Sequence, residues 1–174
     1  MNKEFLQSLR EQIKSGTVTE QEPMSRHTSF SIGGPADVFV QPATKEEIKN
    51  AIFCAKEAGV PFFVMGNGSN LLVSDEGFRG MIIQIGKNFQ EISVQDTVIE
   101  VQAGALLSRT ARAAWNAGLT GFEFAAGIPG TTGGAVAMNA GAYGGEIKDV
   151  LLDAQVLTQD GEFLTLTAEE LELS

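Results

Sequence analysis

Residues 127–146 read GIPGTTGGAVAMNAGAYGGE, and this stretch organises our interpretation of the whole chain. Seven of its twenty residues are glycine, and its only charged residue is Glu146. A stretch with so few side chains buries little apolar surface, but its backbone amides can approach a ligand closely. A second uncharged, glycine-rich stretch, GNGSN, occupies residues 66–70. The sequence therefore predicts two loops able to bind a ligand through backbone amides.

Size and charge limit the classes of function. The chain has 174 residues, of which 43% are hydrophobic, so it can bury one good core in a single compact unit of one or two lobes. Its formal net charge of −10 argues against a nucleic-acid partner, because phosphate backbones are bound by clustered Lys and Arg. Residues 149–174 contain seven acidic side chains and no basic one, which is typical of a solvated face.

The cysteine and histidine content limits the possible disulfides and metal sites. Cys54 is the only cysteine and His27 the only histidine, so neither a disulfide framework nor a zinc site is expected. The N-terminus lacks the apolar segment of a signal peptide, and no apolar run approaches the length of a membrane span. We therefore expect a cytoplasmic protein without a metal or a membrane partner.

The first half of the chain reads as a parallel βαβ unit. An amphipathic helix is predicted over residues 2–14 and an ordered loop over residues 22–35. A strand at 36–40 is followed by a helix that Thr44 and Glu47 open as a capping box, and then by a strand at 60–65. Such units place their strands parallel, and ligands bind beyond the carboxyl ends of those strands. Residues 66–70 lie at that position.

The second half is predicted to contain hairpins and one long helix. The helix has an apolar face that includes Leu106, Leu107, Ala111, Ala114 and Trp115, and Gly118 ends it. Strands are predicted at residues 71–73, 81–85, 89–94, 98–101, 150–157 and 163–166. The strands at 89–94 and 98–101 are expected to form a hairpin around Asp96, and those at 150–157 and 163–166 a second hairpin.

Known phosphate motifs do not account for the two loops. Residues 66–71 lack the third glycine of the Rossmann fingerprint, and no Gly-Lys-Ser/Thr sequence is present for a P-loop. The residues alone leave two alternatives open, an uncommon dinucleotide site or a set of tight turns. Tyr143 could cover a flat ligand or fill the core, whereas His27, Arg26 and Asp75 are better explained as ordinary loop residues.

Three segments together resemble one family. MGNGSNLL at residues 65–72, the stretch at 127–146 and RHTSFSIGGPA at 26–36 are similar to the UDP-N-acetylenolpyruvoylglucosamine reductases, also called UDP-N-acetylmuramate dehydrogenases. The resemblance implies an α+β fold of the vanillyl-alcohol-oxidase type, with FAD between a small parallel βαβ lobe and a lobe with a mixed or antiparallel sheet. It further implies an N-terminal helix and lead-in at 1–20, a first FAD-binding lobe at 21–85 and a second at 86–174.

The resemblance also assigns the cofactor site. Gly66, Asn67, Gly68, Ser69, Asn70 and Leu71 would surround the pyrophosphate of FAD. The adenosine and phosphate side would be followed by Ile128, Pro129, Gly130, Thr131, Gly133, Gly134 and Ala135. The residues near the flavin would be Asn139, Ala140 and Gly141.

The activity that the resemblance implies is a two-step hydride transfer. NADPH reduces FAD, and the reduced flavin reduces the enolpyruvyl group of a UDP-sugar to give UDP-N-acetylmuramate, a peptidoglycan precursor. The family's Tyr-Arg-x-Ser segment would follow Ser174, and its other catalytic residues lie in a substrate-binding domain that we expect to be absent. We therefore predict no catalytic residue in this chain and no turnover by it alone. Two alternatives are a non-catalytic dinucleotide-binding module and another flavin oxidoreductase of the same fold.

Overall fold

The computed structural model describes residues 2–174, which divide into two compact units. The first unit ends at Asn88, and the second is Phe89–Ser174. The assignment of residues 21–85 and 86–174 as FAD-binding lobes remains a prediction.

The first unit contains two helices and a four-stranded sheet. Its elements are α1 at Lys3–Gln12, β1 at Thr17–Pro23, β2 at Pro35–Gln41, α2 at Lys45–Glu57, β3 at Phe62–Met65 and β4 at Phe78–Gln84. The strand order is β1-β2-β4-β3, with β1 antiparallel to β2 and the other neighbours parallel. The predicted βαβ arrangement is confirmed, since β2 and β3 run in the same direction with β4 between them.

Side chains alternate between the two faces of the sheet along each strand, so the core of this unit is divided between those faces. Val38 and Val40 of β2 join the side chains of α1 and α2, including the Phe5, Leu6, Leu9 and Ile13 predicted from the helical spacing. Phe39, between those valines, joins a second cluster with Met24, Ala36, Met65 and Ile82. Both faces of the sheet therefore carry a buried cluster.

Two predictions in the first unit are wrong. Residues 71–73 form no strand: Leu71 and Val73 pack against the second cluster while Leu72 is 75% exposed. Residues 17–23 form β1, which the sequence did not predict, because its mostly exposed polar residues show no apolar alternation. The predicted loop at 22–35 consequently begins within the last two residues of a strand.

Glu47 joins the two helices through backbone hydrogen bonds. Thr44 Oγ1 accepts from the Glu47 amide at 3.1 Å, as predicted for the N-terminus of α2. The Glu47 carboxylate, however, accepts from the amides of Ala43, Lys14, Ser15 and Gly16 at 2.7, 2.9, 2.7 and 3.3 Å. Burial raises the pKa of this carboxyl group, but the four donated hydrogen bonds outweigh burial and lower the pKa below its usual value.

The second unit is built from antiparallel hairpins and two helices. Its elements are β5 at Ile92–Gln95, β6 at Val98–Val101, α3 at Leu107–Asn116, α4 at Thr132–Ala137, β7 at Gly141–Ala142, β8 at Gly145–Glu146, β9 at Asp153–Leu157 and β10 at Phe163–Thr167. Consecutive strands pair as β5-β6, β7-β8 and β9-β10. The hairpins predicted around Asp96 and residues 159–161 are confirmed.

The predicted burial of Trp115 is wrong. The buried residues of α3 are Leu107, Thr110 and Ala114, and Trp115 is 75% exposed. Ala114 and Trp115 are adjacent, so their side chains leave the helix about 100° apart, and burial of one turns the other outward. No helix among residues 2–174 is long and apolar enough to cross a lipid bilayer.

Candidate functional site

The loop at residues 66–71 directly follows β3, at the carboxyl edge of the parallel strands. The side chains that end the other two parallel strands support it. Gln41 Nε2 donates to Gln84 Oε1 at 2.8 Å, and Gln84 Nε2 donates to the Gly66 carbonyl at 3.1 Å. Each glutamine is the last residue of an observed strand, and no sequence motif marked either of them as part of the site.

Three backbone amides of this loop are open in the sense that they lack a hydrogen-bond partner among residues 2–174. Within the described residues, the amides of Asn67, Gly68 and Asn70 make no hydrogen bond, and neither do the side chains of the two asparagines. Asn67 and Asn70 are exposed, whereas Gly68 is buried. Successive open amides of this kind form an anion-binding concavity, so the loop fits a phosphate group.

Gly68 is required by packing inside the protein. Its φ is +69°, and a Cβ added to it would collide with the carbonyl oxygen of His27. The Gly68 carbonyl also accepts from the Ser29 amide at 3.2 Å. The glycine therefore permits close approach of another backbone segment, which is the tight-turn alternative raised by the sequence.

Three further glycines bring the segment that precedes β2 against residues 73–77. A Cβ on Gly34 would collide with the Asp75 carbonyl, and a Cβ on Gly77 would collide with the Pro35 carbonyl. A Cβ on Gly33 would lie 2.8 Å from the Val73 Cβ. The RHTSFSIGGPA segment at residues 26–36 is therefore interlocked with the 66–71 loop and the residues that follow it.

In the second unit, much of the 127–146 stretch is satisfied internally. Thr131 is the N-cap of α4: its Oγ1 accepts from Gly134 at 3.4 Å, and its carbonyl accepts from Ala135 at 2.9 Å. The Gly133 amide donates to the Ala103 carbonyl at 2.8 Å, and a Cβ on Gly133 would lie 2.7 Å from the Ala103 Cβ. The amides of three predicted cofactor residues, Gly133, Gly134 and Ala135, are thus already engaged.

The open amides of this stretch precede α4. Within the described residues, the Gly130 and Thr131 amides donate no hydrogen bond, and the Gly130 carbonyl accepts from Leu107 at 3.1 Å. Ile128 donates to the Ala125 carbonyl at 3.2 Å, and Pro129 carries no N–H group. Gly130 and Thr131 are therefore the positions of residues 128–135 whose amides lack a partner in the described part of the chain, although Thr131 is only 4% exposed.

Asn139, Ala140 and Gly141 stabilise the following turn. Buried Asn139, at a φ of 41°, donates to Glu146 at 2.8 Å and accepts from the Lys148 amide at 3.0 Å. The Lys148 ammonium lies 2.7 Å from Glu146. These contacts, first from Lys148 and then from Asn139, lower the pKa of Glu146.

Tyr143 lies at the tip of the β7–β8 hairpin. It is 99% exposed with a φ of 54°, so it does not fill the core, and the ligand-covering role remains a prediction. Within the described residues, no group of three or more His, Cys, Asp or Glu side chains is arranged to hold a metal ion.

In each unit, fewer backbone amides lack a partner among the described residues than the glycine content of the loops suggests. Open amides remain at Asn67, Gly68 and Asn70 in the first unit, and at Gly130 and Thr131 in the second. None of these residues carries a charge. An anionic ligand would therefore be held by backbone dipoles, without an arginine or a lysine from either loop.

Comparison with known proteins identifies a family of FAD-binding domains. The profile of the FAD binding domain family matches residues 36–167. A UDP-N-acetylenolpyruvoylglucosamine reductase of Agathobacter rectalis is 50% identical over 186 aligned residues, which cover 100% of this chain and 59% of the relative. The chain spans about half the length of the curated relatives that it matches.

Solved structures show the same fold. The crystal structure of UDP-N-acetylenolpyruvylglucosamine reductase from Thermus caldophilus matches with a TM-score of 0.74 and 38% identity, covering 89% of this chain and 54% of that one. A chitooligosaccharide oxidase matches with a TM-score of 0.69 at 20% identity, covering 95% of this chain and 37% of that one, which shows the fold alone. The α+β fold of the vanillyl-alcohol-oxidase type, expected from the resemblance, is confirmed. The chain belongs to the FAD binding domain family.

Proposed function

We propose that this chain binds FAD through both of its glycine-rich loops. The observation that carries the proposal is the set of open, uncharged amides at Asn67, Gly68, Asn70, Gly130 and Thr131. Phosphate oxygens are strong acceptors, and amides already oriented toward them need little reorganisation on binding. We assign the pyrophosphate to residues 66–71 and the adenosine and phosphate side to Ile128, Pro129, Gly130, Thr131, Gly133, Gly134 and Ala135.

The residues whose amides already make hydrogen bonds within the protein would contribute to the FAD site in another way. Gly133, Gly134 and Ala135 form the first turns of α4, so we propose that they shape the surface beside the cofactor rather than donate to it. Asn139, Ala140 and Gly141 hold the turn that presents Tyr143, and we place this turn near the flavin. When bound, FAD supplies hydride-transfer chemistry, and the protein provides binding, orientation and shielding from water.

We further propose that the chain is the FAD-binding part of a longer reductase. The supporting observation is the similarity to enzymes named UDP-N-acetylenolpyruvoylglucosamine reductase over the whole of this chain. In the complete protein, NADPH would be the reductant and a UDP-sugar with an enolpyruvyl group the substrate, in cytoplasmic synthesis of a peptidoglycan precursor. The net charge of −10 supports the proposal that nucleic acid is not a partner.

A titration of the purified chain with two flavins tests the binding proposal. FAD should bind at least about tenfold more tightly than riboflavin, because riboflavin lacks the phosphates that the open amides would contact. Quenching of flavin fluorescence or a change in its absorbance measures both dissociation constants. Equal affinities, or no saturable change with FAD, would exclude the proposed role of the amides.

A further inference from the structure

Residues 24–34, which we call the brace segment, connect β1 to β2 and contact the 66–71 loop. The brace segment closes on itself, since Met24 donates to the Gly34 carbonyl and Ser25 to the Gly33 carbonyl, both at 3.1 Å. Its middle meets the loop at Gly68 through the Ser29 amide and the His27 carbonyl. Movement of the brace segment would therefore move the centre of the loop.

Besides buried Met24, a polar side-chain pair attaches the brace segment to the sheet. His27 Nε2 lies 3.0 Å from Glu22 Oε1, and both side chains are largely buried, with 17% and 16% of their surface exposed. Glu22 lies in β1, opposite Ala36 of β2. The His27 ring packs on Phe39 of β2, with centroids 4.1 Å apart. The histidine is thus held by one polar contact and one aromatic contact, both to the sheet.

The neighbouring arginine contributes little to this attachment. Arg26 Nη1 is 3.6 Å from the same Glu22 oxygen, but the Arg26 side chain is 70% exposed. Ion pairs in contact with water are weak because solvent screens them and ordering a long side chain costs entropy. The Glu22–His27 contact is the buried one.

The buried cluster that contains Met24 and Phe39 holds both ends of the 66–71 loop. Met65, directly before the loop, is buried with Met24 and Phe39, and Leu71 at its end packs against that cluster. With the ends held in this way, the contact of Gly68 with the brace segment helps to set the position of the centre. The open amides of Asn67, Gly68 and Asn70 lie in this central part.

We propose that the Glu22–His27 pair is a positioning device for the 66–71 loop, an inference that rests on the proposed FAD binding by that loop. The pair fixes the His27 carbonyl and the Ser29 amide, and these fix Gly68 and the direction of the open amides. Donors held in advance at the right place bind an anion more tightly than donors that must be ordered during binding. Glu22 and His27 act through the loop and are positioning residues.

Substitutions at the pair test this inference through the affinity for FAD. Glu22→Ala and His27→Ala should each raise the dissociation constant for FAD about tenfold. The double variant should bind FAD no more weakly than either single variant, because both substitutions remove the same interaction. Glu22→Gln keeps an oxygen acceptor for His27 and should stay within about twofold of the unaltered chain. Glu20→Ala, on the same strand but paired with exposed Arg10, is the matched control and should leave the affinity unchanged.

A second measurement needs no FAD. The Ser29 amide donates to the Gly68 carbonyl, so its hydrogen exchange reports directly on the contact between the brace segment and the loop. Exchange at Ser29 should accelerate in Glu22→Ala and His27→Ala but not in Glu22→Gln or Glu20→Ala. If Glu22→Ala does not fold, Glu22→Asp, which withdraws the carboxylate by one methylene, replaces it.

The two measurements separate the inference from the proposed function. Failure of the unaltered chain to bind FAD would reject the proposed function, while the Ser29 exchange would still decide whether the pair positions the loop. Unchanged Ser29 exchange in the folded Ala variants would overturn the positioning role. Unchanged FAD affinity in those variants, or equal weakening by Glu22→Gln and Glu22→Ala, would also overturn it.

Discussion

At the scale of single residues, glycines with similar backbone angles have different reasons to be glycine. Gly59 has a φ of +63° and no other atom within 4 Å of an added Cβ, so backbone conformation alone favours glycine there. Gly68 has a φ of +69° and also faces the His27 carbonyl. The sequence left two reasons open for Gly68, close approach of a ligand or a tight turn, and the structure shows close approach of the chain itself.

This pair of glycines allows the two effects to be measured separately. Gly59→Ala should lower the free energy of unfolding by about 1 kcal/mol, the usual cost of a left-handed conformation for an L-residue. Gly68→Ala should cost about 2 kcal/mol more, because its Cβ forces the brace segment away. Urea unfolding of both variants measures the difference. Equal losses would show that the His27 carbonyl moves aside without cost.

At the scale of elements, periodicity predicted most of the fold, and the errors have physical causes. The apolar spacing of α1 and the capping pattern of α2 were sufficient to place both helices. β1 was missed because it is a polar edge strand, and its pairing with β2 depends on backbone groups that sequence periodicity does not report. Trp115 was assigned to the core from its size and spacing, but Ala114 takes the buried position.

Glu47 provides a pH-dependent test of how the first elements are joined. Its pKa is lowered in the folded state, so its stabilising effect is fully present above the unfolded pKa and is lost as pH falls through the lowered folded value. Glu47→Gln should lower the free energy of unfolding near neutral pH by about 3 kcal/mol, since several amides lose a charged acceptor.

Denaturant unfolding of both proteins between neutral and acidic pH measures this effect. The difference in the free energy of unfolding between the unaltered chain and Glu47→Gln should narrow as pH falls below 4.5, the ordinary pKa of this carboxyl group. Glu20→Gln, at an exposed ion pair, is the control and should show a small gap. A Glu47→Gln gap that stays constant across the range would show that the ionised carboxylate is not the stabilising form.

At the scale of the whole molecule, the fold predicted from the sequence is confirmed, whereas the cofactor site is still a prediction. The absence of Lys and Arg from both loops predicts that a bound phosphate would meet backbone amides, and this stays a prediction. Which amides are open could not be predicted, because Ala103 and Ala105 occupy two of those that begin α4, and these contacts are distant in sequence. The packing of His27 on Phe39 of β2 could not be predicted either, because those residues meet only in the folded sheet.

The most direct test of the account places a negative charge beside the open amides. Asn67 is exposed and its side chain makes no hydrogen bond within the described residues, so Asn67→Asp removes no observed contact. Asn50→Asp on α2 adds the same charge outside the loop. Because like charges repel at short range, Asn67→Asp should raise the dissociation constant for FAD about tenfold, with folding unaffected and Asn50→Asp close to the unaltered chain. Equal affinities of the two variants for FAD would contradict binding by the amides of this loop.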